Sequence, residues 1–195
     1  MKEAFLSRFN HCMVDPDLLE RTFVQRHELL RSMVDRATGA QTGEDPRHAL
    51  LVGPWGVGKS HFLALLEHRI RTSPTGREGV RVAALHEHEW GVASFPELLV
   101  RVLAALGREA GDARFREDLE ACQTGAAKAQ SRALALLERS LEGRRLVILM
   151  ENADRLLSSL GPAQRKHLYR FLDERPDITL VATTRKPLEN ALKET

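Results

Sequence analysis

The chain has 195 residues, 43% of them hydrophobic and 29% charged, with a formal net charge of +2 at pH 7. This composition is typical of one globular α/β domain with a sizeable core. Because charges of both signs are interspersed, no strongly basic surface is predicted, and DNA contact is possible but unsupported by charge. No apolar run approaches the ~20 residues that span a bilayer, and two distant cysteines favour a reducing compartment, so we expect a cytoplasmic location without membrane contact.

A helical lead-in is predicted before the first strand. Asp15 provides an N-cap, followed by a proline at the first helical position, and a second periodic stretch from 26 to 37 ends at Gly39. A polar, glycine-containing loop then leads to the first strand. We therefore expect residues 1–47 to pack as a helical lead-in on a core formed by residues 48–195.

The motif G-x-x-x-x-G-K-[ST] follows the first predicted strand, residues 49–52, and opens a helical segment from His61 to Ile70. Its residues are Gly53, Pro54, Trp55, Gly56, Val57, Gly58, Lys59 and Ser60. A strand, a glycine-rich loop and a helix in this order predict a phosphate-binding loop, since backbone N–H groups then point into an anion-sized hollow at a helix N-terminus. Lys59 would contact the β- and γ-phosphates, and the Ser60 hydroxyl would bind Mg²⁺. A nucleoside triphosphate with Mg²⁺ is therefore the predicted ligand of residues 53–61.

Strands alternate with helices along the rest of the chain, which predicts a parallel sheet covered by helices on both faces. Strands are predicted at 80–85, 146–150 and 178–184, and helices at 94–106, 128–141, 155–160 and 162–174. Residues 72–79 are interpreted as a turn cluster because glycines and a proline interrupt them. Residues 107–127 are polar and weakly periodic, so no element is assigned there.

Two polar residues, Glu151 and Asn152, follow the strongly apolar strand at 146–150. An enzyme with a phosphate-binding loop needs a carboxylate at the end of a neighbouring strand to hold Mg²⁺, usually through water. Glu151 can fill that role together with Ser60, or it can face the nucleophile itself. Asn152 can orient a water molecule by hydrogen bonding but cannot accept its proton.

Other carboxylates near these strands have alternative roles. Glu87 or Glu89, after the second strand, could supply the base that Asn152 lacks. Asp154 is interpreted as the cap of a helix that begins near Arg155. Trp55 is expected to pack within the loop, to lie on the surface or to form part of a partner interface.

Four segments together resemble the AAA+/STAND group of ATPases, which includes initiator-like and signal-transduction members. They are FVQR at 23–26, GPWGVGKS at 53–60, LVILMENAD at 146–154 and LVATTR at 180–185. The resemblance covers about residues 22–186. It implies a three-layer P-loop NTPase fold of the additional-strand class, with a parallel sheet in the order 5-1-4-3-2. In this class the polar tip of strand four reads the γ-phosphate, which here implies a hydroxyl of Thr183 or Thr184, or the guanidinium of Arg185.

The sequence departs from the family pattern at three places. The first is Gln25, which replaces the glycine of a Phe-Val-Gly-Arg-like segment that packs near the adenine in the family. The family normally has Asp-Glu after its apolar strand, so Glu151 takes the metal position and Asn152 the position of the base, and hydrolysis is expected to be slow. The sequence stops where a fifth strand and a helical lid would begin. We therefore expect a truncated product or a short protein completed by a partner chain, with self-association as an alternative route to a complete site.

These features predict an ATP-binding module that acts as a nucleotide-dependent switch, with ATP and Mg²⁺ as its ligands. The candidate catalytic residues are Glu151, Asn152, Thr184 and Arg185. A scaffold that binds ATP without hydrolysing it and a DNA-associated initiator or transposition-type ATPase are the alternatives. A small-molecule kinase is disfavoured, because the strand that follows Glu151 ends in a sensor-like tip.

Overall fold

The computed structural model describes residues 15–39, 47–86, 92–110, 113–123 and 128–187. The strands are β1 (Ala49–Val52), β2 (Val80–Leu85), β3 (Arg145–Met150) and β4 (Ile178–Thr184). The helices are α1 (Pro16–Thr22), α2 (His27–Thr38), α3 (Lys59–Thr72), α4 (Pro74–Gly79), α5 (Phe95–Ala110), α6 (Ala113–Gln123), α7 (Ala129–Leu141), α8 (Ala153–Ser159) and α9 (Pro162–Asp173). None of these described helices combines the length and the apolar content that a membrane span requires.

All strand pairs are parallel, and the strands lie in the order β1-β4-β3-β2. The sequence resemblance predicts this order for the first four strands, so the expected parallel sheet is confirmed. Val52 pairs with Thr184, and Leu85 pairs with Met150. Because the strands run in the same direction, their carboxyl ends meet at one edge, which is where open α/β sheets usually bind their ligands.

Each face of the sheet has its own core, because successive side chains of a strand point to opposite faces. Val82, Val147 and Val181 lie in the core that α1, α2 and α3 cover. Ile148 and Ala182 lie in the core on the other face, which α5 to α9 cover. The fold therefore has the three predicted layers, with the sheet in the middle.

The two helices before β1 pack on α3, the helix that follows the phosphate-binding loop. Asp15 accepts a hydrogen bond from the first turn of α1 at 2.8 Å, as its predicted capping role requires. Leu19 of α1 is buried in the same core as Phe62 of α3. The guanidinium of Arg69 also donates two hydrogen bonds, at 2.7 and 2.6 Å, to the carboxylate of Glu20. Movement of α1 is therefore coupled to α3 through both apolar and charged contacts.

Two segments are more helical than the sequence indicates. The turn predicted at 72–79 is wrong, because Pro74–Gly79 forms a short helix whose start is fixed by a hydrogen bond from the Gly76 N–H to the Ser73 hydroxyl at 3.0 Å. Within the unassigned stretch 107–127, residues 113–123 form a helix of their own. Phe115 and Leu119, one turn apart, pack on the core, and these contacts stabilise a helix whose apolar stripe is too narrow to stand out in the sequence.

Gly76 allows α4 to lie directly against the end of α3. A Cβ atom at this position would lie 1.8 Å from the carbonyl oxygen of Ile70, a backbone atom that cannot move aside. We therefore expect Gly76→Ala to lower the free energy of unfolding by about 1–3 kcal/mol in urea denaturation. Gly79→Ala is the matched control, because no heavy atom lies within 4 Å of a Cβ there. Equal effects of the two substitutions would contradict this packing.

Candidate functional site

The loop between β1 and α3 has the backbone that the motif predicts. Gly56 and Gly58 have φ angles of 78° and 89°, in the left-handed region that glycine adopts at little cost. Gly58 is the N-cap of α3 and offers no side chain to the helix, so the first N–H groups of α3 have no side-chain cap. Helix termini of this kind bind anions, because the N–H groups and the helix dipole both favour negative charge.

Lys59, the first residue of α3, lies over this loop. Its Nζ donates hydrogen bonds to the carbonyl oxygens of Gly53 at 2.7 Å and Pro54 at 2.9 Å. Burial lowers the pKa of the Lys59 ammonium below its usual value; the charge of Arg185 lowers it further, and Asp154 opposes the shift. The Lys59 ammonium therefore lies close enough to the guanidinium of Arg185 and the carboxylate of Asp154 to interact with both charges.

The two residues predicted to hold Mg²⁺, Ser60 and Glu151, come together in the structure. Both line a small cavity between the start of α3 and the carboxyl ends of β2 and β3, with His86 and Glu67 also in its wall. The N–H of Glu151 donates to the carbonyl oxygen of Leu85 at 3.1 Å, which fixes the residue at the end of β3. Among the described residues, no group of three His, Cys, Asp or Glu side chains is arranged to hold a metal ion unaided.

Asp154 has a different position from the predicted one. The helix α8 begins at Ala153 with Asn152 as its N-cap, so Asp154 lies in the first turn and the prediction that it caps the helix is wrong. The helix begins early because the left-handed backbone of Asn152 turns the chain directly out of β3. Oδ1 of Asp154 is buried and has no hydrogen-bond partner, although a buried carboxylate oxygen normally has one. This oxygen is an unpaired acceptor on a carboxylate close enough to Lys59 to raise the pKa of its ammonium.

Asn152 connects the end of β3 to the end of β4. Its side chain is only 8% exposed, its φ angle is 48°, and its N–H donates to the hydroxyl oxygen of Thr183 at 3.0 Å. Asparagine is one of the few residue types that adopt this left-handed conformation readily. The residue in the predicted position of the base is therefore also one that suits the left-handed turn.

The hydroxyl groups at the tip of β4 are engaged by the protein. Thr183 accepts the hydrogen bond from Asn152, and the Thr184 hydroxyl donates to the carbonyl oxygen of Lys186 at 2.7 Å. The carbonyl oxygen of Thr184 accepts from the N–H of Gly53 at 3.2 Å, which joins the β4 tip to the start of the loop. Arg185 extends beyond this tip, and its Cζ lies 5.5 Å from the centre of the Trp55 ring.

The lead-in also reaches the loop, through a contact that the sequence reasoning did not identify. Arg26 adopts a left-handed backbone (φ 68°), and its Nη1 donates to the carbonyl oxygen of Val57 at 3.3 Å. Phe23 packs edge-on against His61, with ring centres 5.7 Å apart, and His61 Nε2 lies 2.9 Å from the carbonyl oxygen of Leu19. The sequence signal was the segment FVQR, whose arginine contacts the phosphate-binding loop itself.

Two further features lie apart from this group. A cavity of about 920 Å³ opens on the other face of the sheet, beside α9, and is lined by residues such as Leu50, Leu180 and Tyr169 but by none of residues 53–61. Its size does not make it the functional site, because the glycine-rich loop, Lys59 and the pair Ser60 and Glu151 all lie elsewhere. Glu87 and Glu89, the alternative bases, lie outside the described residues.

Comparison with known proteins identifies the family and the fold. Residues 22–182 match the family model described as AAA ATPase domain, and no curated protein sequence matches the chain. The structure resembles the ORC2 protein of Aeropyrum pernix, with a TM-score of 0.54 at 16% identity over 86% of this chain and 42% of that one. It also resembles a Walker-type ATPase of Pyrococcus abyssi, with a TM-score of 0.51 at 17% identity over 89% of this chain and 49% of that one. The chain thus spans less than half the length of these two proteins. It belongs to the AAA ATPase domain family and is a nucleotide-binding ATPase module.

Proposed function

We propose that the module binds ATP with Mg²⁺ at residues 53–61 and acts as a nucleotide-dependent switch with slow hydrolysis. The observation that carries the proposal is the position of Lys59, whose ammonium lies over the loop near the cation of Arg185 and the carboxylate of Asp154. Two cations at a helix N-terminus favour a multiply charged anion. The structural neighbour from Aeropyrum pernix was solved as ADPNP–ADP complexes, which agrees with a nucleotide as that anion.

The residues around the loop also fit Mg²⁺. Ser60 and Glu151 line one cavity, and Oδ1 of Asp154 is a buried acceptor without a partner. Mg²⁺ prefers oxygen ligands and keeps several waters, so one hydroxyl and one or two carboxylates acting through water suffice. When bound, the ion would neutralise charge on the phosphate oxygens. Ser60 would then contribute its hydroxyl, and Glu151 would hold a water molecule bound to the ion.

Slow hydrolysis follows from the chemistry of Asn152. Its amide can hold a water molecule by hydrogen bonding, but it cannot take up the proton that the attacking water releases. In the structure Asn152 is buried and bonded through its backbone to Thr183. We infer that ATP persists in the site long enough to define a bound state of the module.

The hydrogen bonds between strand ends support a switch. The N–H groups of three residues donate hydrogen bonds between neighbouring strand ends: Gly53 to Thr184, Asn152 to Thr183 and Glu151 to Leu85. The start of the loop and the tips of β4, β3 and β2 are therefore joined in a row. A ligand that reorders the loop would displace the β4 tip as well, and a partner chain or a second copy that contacts this edge would sense the change.

The proposal is tested by chemical unfolding with and without nucleotide. A ligand that binds only the folded protein at 100 times its dissociation constant raises the free energy of unfolding by about 2.7 kcal/mol. We expect this increase for ATP with Mg²⁺, and a smaller one for ADP at the same concentration. No stabilisation by millimolar ATP would contradict the assignment. Stabilisation without any phosphate release would favour the non-hydrolysing scaffold, and salt-sensitive DNA binding would favour the initiator-like alternative.

A further inference from the structure

Trp55 occupies an unusual position for a large aromatic residue. It lies in the phosphate-binding loop between Pro54 and Gly56, and 79% of its surface is exposed. An indole at this place offers a large ring, with a negative face, to groups that approach the loop. Its ring lies against the guanidinium of Arg185, whose Cζ lies 5.5 Å from the ring centre. This distance is within the range of a cation–π interaction.

The backbone before Arg185 is held against the loop. Thr184 pairs with Val52 in the sheet, accepts a hydrogen bond from the Gly53 N–H at 3.2 Å, and donates one from its hydroxyl to Lys186 at 2.7 Å. The side chain of Arg185 is nevertheless exposed and long, and an arginine loses about 2 kcal/mol of rotamer entropy when it is fixed in one position. The Trp55 ring is a contact that restricts where this guanidinium can lie.

The contact between Trp55 and Arg185 lies beside a second cation, the ammonium of Lys59. Arg185 lies close enough to Lys59 to lower the pKa of its ammonium, so the two cations repel each other. The attraction between the Arg185 guanidinium and the Trp55 ring opposes part of this repulsion. Stacking on an indole uses the face of the guanidinium, while its N–H groups project from the edge and can still meet phosphate oxygens.

We propose that Trp55 is a positioning residue, which holds Arg185 beside the phosphate-binding loop so that the guanidinium is ready for the terminal phosphate of ATP. This inference rests on the proposed function, because it concerns the same site. It adds a specificity role that the loop motif does not contain: the contact favours ATP over ADP, since ADP lacks the phosphate that Arg185 would meet.

The inference is tested by nucleotide affinities measured through displacement of a fluorescent ADP analogue. An exposed cation–π contact corresponds to about a two- to fivefold change in affinity. We expect Trp55→Ala to weaken ATP binding by this factor and to leave the ADP affinity unchanged. Trp55→Tyr keeps an aromatic face and should retain most of the ATP affinity. Tyr169→Ala removes another exposed aromatic residue on α9 and serves as the matched control.

A double-mutant cycle separates positioning from direct contact with the nucleotide. If Trp55 acts through Arg185, then Trp55→Ala combined with Arg185→Ala binds ATP no more weakly than Arg185→Ala alone. An equal loss in the Arg185→Ala background, or an equal loss for ATP and ADP, would overturn the inference and leave the proposed function intact. Failure of the wild-type chain to bind either nucleotide would overturn both.

Tryptophan fluorescence reports the same contact independently of the affinity measurements. The chain has two tryptophans, so Trp90→Phe leaves Trp55 as the single indole fluorophore. We expect the emission of Trp55 to differ between the ATP and ADP complexes, and Arg185→Ala to remove that difference. A difference that survives Arg185→Ala would mean that the indole senses the nucleotide itself, which would overturn the positioning role.

Discussion

Replacing Lys59 by alanine is expected to weaken ATP binding about 100-fold or more, measured by equilibrium titration with a fluorescent ATP analogue. The ammonium already reaches two loop carbonyl oxygens, and in the complex it would exchange these neutral acceptors for charged phosphate oxygens. Two charge-assisted hydrogen bonds of roughly 1.5–3 kcal/mol each exceed the ~2.7 kcal/mol that corresponds to a 100-fold change.

The control for this substitution is Lys166→Ala, which removes the same charge from an exposed position on α9. It should bind ATP as the wild type does. Both variants should unfold at nearly the wild-type urea concentration, because neither lysine is buried in a core. Retention of ATP affinity within about threefold in Lys59→Ala would remove the basis for placing the nucleotide at this loop.

The second large effect is expected at Glu151. We predict that Glu151→Gln lowers Mg²⁺-dependent phosphate release about 100-fold, while ATP affinity changes only a few-fold. The glutamine keeps the size of the side chain and its backbone hydrogen bond to Leu85, but it loses the charge that would hold a Mg²⁺-bound water. Phosphate release in single-turnover reactions gives the rate, and titration gives the affinity.

Glu67→Gln is the matched control for Glu151. Glu67 lines the same cavity, but its carboxylate accepts two hydrogen bonds from Arg71, at 3.0 and 2.8 Å, and is already neutralised. We expect less than about a threefold effect on phosphate release there. Similar losses in both variants would mean that the general negative charge of the cavity matters and that Glu151 has no specific role.

The loop and the sheet could be predicted because their signals are local. The spacing of Gly53, Gly58 and Lys59 after four apolar residues defines the loop, and the apolar run at 146–150 defines a buried strand. The strand order came from the resemblance, since parallel pairing depends on crossovers that no short segment encodes. By contrast, α4 contains residues typical of turns, and it forms a helix because Ser73 caps it and Gly76 fits against α3.

The contacts that organise the site were harder to predict. Trp55 and Arg185 lie 130 positions apart in the sequence, and their meeting depends on the register between β1 and β4. The wrong prediction for Asp154 has a local cause. Asn152 adopts a left-handed backbone, and the helix begins at Ala153, before the position that was predicted from the capping pattern. The backbone conformation of Asn152 therefore decides whether Asp154 caps the helix or lies in its first turn.

The left-handed turn at Asn152 also limits how the module could be converted into a fast ATPase. The obvious substitution would restore the glutamate that the family resemblance places there, but a glutamate held at a φ angle near 48° would carry about 1–2 kcal/mol of backbone strain. Aspartate tolerates this conformation better and provides a carboxylate, although on a shorter side chain. Asn152→Asp therefore places a carboxylate here with less backbone strain than Asn152→Glu, although the left-handed Glu142 shows that the fold can also hold a glutamate in this conformation.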